Sequence, residues 1–308
     1  MSSAKFNLFT KNIIHLAQEY CQQKLTRDAS PRTADCGLRT SPQRRAMINI
    51  IPKPQRETYI CLMAILIFFI LHWYLSLFGQ TFFLHRYSAH KMFTMSKGWE
   101  KFWYIFSWVT QGSSYLNARA YAILHRMHHA YSDTQKDPHS PHFFREVFTM
   151  MMYTRTVYNG VLHGTIQVEE KFDRNFPEYK NIDRIADAWP TRIAFGLGYV
   201  AFYIAFATHW WMYLLLPVHF LIGPVHGAIV NWAGHKYGYR NYNEDDHSKN
   251  TLIIDFLMLG ELFQNNHHHA GSKPNFASKW WEFDPVYPVM RLFNAIGIIK
   301  LSPVAIRN

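Results

Sequence analysis

The chain has 308 residues, of which 49% are hydrophobic, and carries 32 Lys and Arg against 21 Asp and Glu, a formal charge of +11. Such a basic balance suits nucleic acid or an anionic membrane surface. With no RNA-binding consensus or zinc finger and with its basic residues scattered between apolar runs, the sequence excludes nucleic acid as a partner in favour of the lipid bilayer. Three cysteines, Cys21, Cys36 and Cys61, never fall in a C-x-x-C pair, which excludes a disulfide framework and a thiolate metal site and points to a reducing compartment.

Residues 1–56 read as a basic, flexible N-terminal extension with ten Lys or Arg, broken by Pro31, Pro42, Pro52 and Pro54. Within it Phe6, Phe9, Ile13, Leu16 and Tyr20 recur at helical spacing and predict a short amphipathic helix. The second region, residues 57–308, holds everything that looks like chemistry. Its first apolar run covers residues 59–78 and continues with few polar residues to 84, enough for one crossing at roughly 20 residues.

Residues 99–116 are aromatic but contain Glu100, Lys101 and Gln111, so they are expected to lie in the membrane interface. A crossing there would put the histidines before and after it on opposite sides of the bilayer. Residues 193–230 are long enough for a helical hairpin with His209, Trp210 and Trp211 at the far interface. The expected fold class is therefore an all-α, multi-pass integral membrane protein, a small bundle of three transmembrane helices.

Basic residues set the orientation, because Lys and Arg are retained on the cytoplasmic side. The turn at 209–212 has none, whereas residues 86–190 have thirteen and residues 236–308 have eight, so the histidine-bearing segments are expected to be cytoplasmic. With three spans the basic extension falls on the other side, in conflict with the same rule.

Of the eighteen histidines, most of the informative ones are clustered. His85 and His90 are five residues apart, about 140° around an ideal α-helix, and so are expected to aim at different parts of one site near a helix end. His125, His128 and His129 follow the i, i+3, i+4 pattern that lines up one helical face. Gln264, His267 and His268 repeat that pattern with Gln in front, and Asn231 with His235 forms an i, i+4 pair. Packed imidazoles without a metal repel when protonated and are poorly satisfied when neutral. The eight clustered histidines are too many for one ion and predict two metals in one basin. Their ligand type alone does not choose between Fe, Zn, Cu and Ni.

The succession H-x(4)-H, H-x(2)-H-H and Q-x(2)-H-H, split by a hydrophobic hairpin, resembles the three histidine boxes of integral-membrane fatty acid desaturases. The resemblance is to the stearoyl-CoA, delta-9 type, including bacterial acyl-CoA desaturases. It extends to Asp137-Pro138-His139, to the stretch from Asn231 through His235 to Arg240, and to Gly260-Glu261, and covers about residues 60–300. It implies a His-rich di-iron cap of helices on the cytoplasmic side. In it two Fe ions are held by His85, His90, His125, His128, His129, Asn231, His235, His267 and His268. Gln264, where the delta-9 type begins its third box with His, is a further candidate that offers only a carbonyl oxygen.

What the resemblance implies is an oxygen-dependent fatty acyl desaturase, an oxidoreductase that reduces O2 to water while inserting a cis double bond, at delta-9, into a long-chain acyl group of acyl-CoA or acyl-lipid. Carboxylates that hold a ligand imidazole through its other ring nitrogen belong to such a site, and Asp133, Asp137 and Glu261 are best placed. Trp103, Trp108 and Tyr115 are candidates for a substrate tunnel. No haem or iron–sulfur ligand set is fused to the chain, so electrons must come from a separate ferredoxin or cytochrome b5 with its reductase. The alternatives are a di-iron membrane hydroxylase and a histidine-lined metal transporter; the latter predicts a polar relay through the spans, and none is suggested by residues 60–71 or 193–208.

Overall fold

The structure is a computed structural model and describes residues 53–302; the expected amphipathic helix at the N-terminus lies outside them. The described chain is mostly helical. Helix α1 (Lys53–Phe78) runs into a π-helical stretch (Gly79–Ala89), followed by β1 (Phe93–Met95), α2 (Lys97–Gln111), a 3-10 turn (Gly112–Ser114), α3 (Ala118–Tyr131) and α4 (Val147–Leu162). Then come α5 (Lys180–Ala186), α6 (Trp189–Phe206), a 3-10 turn (Trp210–Leu215), α7 (Leu216–Phe220), α8 (Ile222–Lys236), α9 (Gln264–His269), α10 (Val286–Ala295) and β2 (Ile299–Leu301).

The chain divides into two units. The smaller comprises the chain up to Leu71 and residues Gly196–Pro217. It is held by aromatic contacts, with the Phe68 ring 4.4 Å from Phe202 and 6.1 Å from Tyr199. The larger, residues 72–195 and 218 onward, carries all the clustered histidines.

Among the described residues one helix, Thr58–Ala89, is long and apolar enough to cross a membrane, or two if the bent pair Trp210–Phe220 and Ile222–Lys236 is a single span, against the three read from the sequence. Both departures from the expected hairpin have local causes. Helix α6 opens on Pro190, Thr191 and Arg192, and the Arg192 guanidinium is bonded to Ser113 O, Tyr115 O and Asp187, which leaves too few apolar residues behind it. The second arm bends by 76° at Leu221. Pro224 has no N–H to give to Phe220 O, as a continuous helix would require, and that carbonyl accepts from Ser113 Oγ instead, at 3.1 Å.

In the larger unit the π-helical stretch is fully buried and packs against α2 and α3. Phe82 and Phe83 on it stack into an aromatic core with Phe93, Tyr104 and Trp103. Caps fix where the neighbouring helices begin: Ser96 Oγ accepts from Trp99 N, and Asn117 Oδ1 accepts from Ala120 N. Strands β1 and β2 pair antiparallel, Phe93 with Leu301 and Met95 with Ile299, tying the C-terminal segment to the residues just after His90. The loop between α8 and α9 is held by bridges from Asn250 to Tyr239 and to Phe263. Gly238 makes that possible: at φ +124° a Cβ there would lie 2.1 Å from Asn250 O.

Candidate metal centre

The clustered histidines come together as two groups of nitrogens in the larger unit. One holds His85, His90, His125, His129 and His267; the other holds His128, His235 and His268. In the first group Nε2 of His85 lies 3.0 Å from that of His267, His90 Nε2 lies 2.7 Å from His125 Nε2, and His129 Nε2 lies 2.9 Å from His267 Nε2. Adjacent nitrogens around an ion ~2.1 Å from each stand about 3 Å apart, so these spacings suit one metal.

The i, i+3, i+4 clusters divide between the groups by register. His125 and His129 of α3 face the first group and His128 the second; His267 of α9 faces the first and His268 the second. His85 and His90, expected to diverge, instead enter the same group. The correction comes from the pitch: His90 N bonds His85 O at 3.1 Å, an i→i+5 turn that brings residues five apart nearly into line. Residues 99–116, expected in the interface, form most of α2 and the 3-10 turn after it, and do not separate the histidines on either side of them.

Carboxylates set the tautomers. The Nδ1 of His128 is 2.9 Å from Asp137 Oδ2, that of His235 is 2.9 Å from Asp133 Oδ2, and that of His268 is 2.5 Å from Asp246 Oδ2. A proton on each Nδ1, donated to its carboxylate, leaves each Nε2 bare, and all three Nε2 atoms are buried without a partner. In the first group His85 Nδ1 lies 2.6 Å from Glu261 Oε2, and Thr81 Oγ1 donates to the same carboxylate. Buried bare nitrogens aimed at one another cost free energy that a cation would offset, and a set made of imidazoles fits a transition metal such as iron.

Burial, reinforced by neighbouring imidazoles, drives His90, His125, His129 and His267 well below the ordinary range, so they are neutral, as ligation requires. Burial also carries His268 down to about 4 against the pull of Asp246. For His128 burial pulls down, but the charge and hydrogen bond of Asp137 together with the charges of Asp133 and Asp246 outweigh it and raise the imidazole. Burial alone would raise Asp133, Asp137 and Asp246, but the imidazoles beside them hold all three well below the usual carboxylate range.

Gln264 is buried and donates Nε2 to Glu261 O at 2.6 Å, leaving its carbonyl oxygen uncommitted to that bond. Asn231, half-buried, sits one helical turn before His235 on α8. Trp103 and Tyr115 are members of the aromatic core beside the π-helical stretch, with Trp108 packed against it. Two residues that sequence reasoning missed also lie at the site. Asp246 stands in a loop with no spacing to link it to His268, and His139, in a motif picked out only for its resemblance, groups with His128 and Asp137.

A family model described as fatty acid desaturase matches residues 43–294. The chain is similar to the sn-1 stearoyl-lipid 9-desaturase of Anabaena variabilis, 27% identical over 239 residues that cover 76% of this chain and 82% of the relative. It is also similar to the hex-5-enoyl-[acyl-carrier protein] acetylenase of Moorena producens, at 25% over 252 residues (74% and 73% covered). The acyl-CoA C20 Delta5-desaturase of Anemone leveillei matches at 26% over 224 residues (72% and 68% covered).

Proposed function

The chain belongs to the fatty acid desaturase family, and on that premise we propose that it is a di-iron, oxygen-dependent desaturase that inserts a cis double bond, at delta-9, into a long-chain acyl group. The observation that carries the metal reading is the pair of buried imidazole groups whose free nitrogens converge while carboxylates hold the opposite ring nitrogens. His85, His90, His125, His129 and His267 would hold one iron. His128, His235 and His268 would hold the other, with Asn231 and Gln264 beside them.

Bound iron supplies the redox chemistry: O2, two external electrons and two protons, with the two hydrogens of neighbouring methylenes, give the double bond and two waters. The chain's own residues do the rest. Asp133, Asp137, Asp246 and Glu261 fix imidazole tautomers, and the aromatic core with Trp103, Trp108 and Tyr115 excludes water and positions the acyl chain. The named relatives act on lipid-, carrier-protein- and CoA-bound acyl groups, so similarity alone does not choose the carrier; acyl-CoA or acyl-lipid is the reading adopted.

We place the protein in the membrane as a multi-pass chain with its active site on the cytoplasmic side. Support comes from the apolar helix Thr58–Ala89, on which Tyr59, Ile60, Met63, Ile67, Ile70 and Leu71 are exposed, and from the basic residues that flank the histidines. Electrons come from a separate ferredoxin or cytochrome b5 with its reductase, and the net charge of +11 suits an acidic partner. Expression in a host lacking its own desaturase, followed by fatty-acid profiling, tests the reading: the wild type should yield a new monounsaturated acid and His128→Ala none. Identical profiles in an oxygenated, donor-competent host would refute it, and a retained oxygen in the product would make the enzyme a hydroxylase.

A further inference from the structure

Loops that face water turn their charges outward and their apolar side chains inward. Two segments of the larger unit do the reverse. In residues 251–257, between α8 and α9, Ile253, Ile254, Phe256 and Leu257 are exposed, and in residues 278–284, between α9 and α10, so are Phe283 and, at 91%, Trp280. The three carboxylates of the same segments are buried and committed inward. Asp255 accepts from the backbone N–H groups of Met258, Gly260 and Leu262, Glu282 from Tyr239 and Asn266, and Asp284 from Arg86. Lys279 is the one charged side chain that these segments leave exposed.

The segments form a single face: Ile254 and Phe283 are joined by a β-bridge, and the Phe256 ring lies 5.7 Å from that of Phe283. An outward apolar face of this kind marks a contact with lipid or with protein. Its position chooses between them. Leu257 O accepts from Trp73 Nε1 at 3.1 Å, and Met258 and Leu262 pack with Leu77. Trp73 and Leu77 belong to the helix that is long and apolar enough to cross a membrane. About 20 residues cross the hydrocarbon, so a span entered at Tyr59 is left near Phe78, and Trp73 stands ~7.5 Å inside that exit at about 1.5 Å per residue. A loop bonded to Trp73 is carried to the same depth.

Resting on the membrane placement proposed above, we infer that residues 253–257 and 280–283 dip into the cytoplasmic leaflet, a second contact with the bilayer beside the span. Ile253, Ile254, Phe256 and Phe283 meet the acyl chains, Trp280 takes the interfacial region that indole rings favour, and Lys279 reaches the lipid phosphates.

Site-directed fluorescence of the full-length protein in vesicles of phosphatidylcholine and phosphatidylglycerol tests this. With Cys21, Cys36 and Cys61 replaced by Ser, a polarity-sensitive dye is attached to Phe256→Cys or Trp280→Cys. Ile67→Cys, exposed on α1, and Lys136→Cys, exposed after α3, are the references. At 256 and 280 the emission should be shifted to the blue of that at 136 and be quenched by nitroxide-bearing lipid, but not by iodide supplied on both faces of the vesicle. Trp280, almost wholly exposed, accepts the change if the Phe256 variant does not fold. Emission and iodide quenching like those at 136, with lipid quenching at 67, would overturn the inference and leave the membrane placement standing. Shielding from both quenchers would also overturn it, because protein would then cover the face. Absence of lipid quenching at 67 would overturn the membrane placement, and this inference with it.

Discussion

At the scale of single residues, carboxylates stand behind four of the clustered imidazoles, those of His85, His128, His235 and His268. Replacing Asp133 by Asn keeps the volume but removes the charge that holds the proton on His235 Nδ1. Such changes behind a ligand weaken metal binding about 10–100-fold, so Asp133→Asn should lose iron faster than wild type in a chelator-competition assay; equal retention would show the pair to be idle. In the metal-free protein, burial takes His268 down to about 4 and His139 to about 3, from 6.5. Below about pH 6.5 the unfolded chain therefore binds more protons than the folded one. The stability these groups contribute is complete above that pH and is lost as pH falls toward 4. His128, raised by Asp137, acts in the opposite sense but is outnumbered. Thermal melts of the metal-free protein should show Tm falling between about pH 7 and about pH 5, and a flat Tm would contradict this. Asp133, Asp137 and Glu261 were legible because each lies a few residues from a histidine cluster. Asp246 meets His268 only through the loop between α8 and α9, a contact that sequence spacing does not encode.

At the scale of elements, the π-helical stretch is fastened by a buried ion pair. Arg86 on it donates to both Asp284 oxygens, at 3.1 and 3.0 Å, and to Pro274 O, and its guanidinium lies 3.9 Å over the Phe276 ring. Removing one partner of a fully buried pair costs about 3–5 kcal/mol. Asp284→Ala should therefore lower the denaturant midpoint substantially and reduce iron content, because His85 is the next residue; an unchanged midpoint would refute the anchoring role. Gly238 makes a second, independent test. A side chain there meets the Asn250 carbonyl and an unfavourable φ together, so Gly238→Ala should lose about 1–3 kcal/mol by the same measurement. The existence of the first long helix and the helical face of His125, His128 and His129 were readable from apolar content and spacing. The break at Leu221 was not, because it needs both the missing Pro224 donor and the Ser113 hydroxyl that takes its place, more than a hundred residues away in sequence.

At the scale of the whole molecule, the mostly helical character was legible in the apolar run at 59–84, and the order of the histidine clusters carried the convergence of the imidazoles. Among the described residues one or two helices, against the three read from the sequence, are long and apolar enough to span, because composition over residues 193–230 does not reveal how Arg192 is tied down. If the active site faces the cytoplasm, Lys136→Cys, next to Asp137, should resist an impermeant maleimide in intact cells and react after permeabilisation, while Thr208→Cys should react in both. Labelling of Lys136→Cys but not of Thr208→Cys in intact cells would reverse the orientation. The same preparations should keep the protein in the pellet after an alkaline carbonate wash, as a membrane-spanning chain requires.

The i→i+5 turn between His85 and His90 changes how a histidine spacing is to be counted. On an ordinary helix a gap of four serves to stack two rings; here a gap of five does the same, because the coil is wider. Inserting one residue between Arg86 and Ala89 would leave every ligand present in the composition and still carry His90 round the axis, out of line with His125. Chain length within this short stretch is thus as specific a requirement as the imidazoles themselves, and a screen of insertions and deletions there would read the helix pitch directly from metal retention.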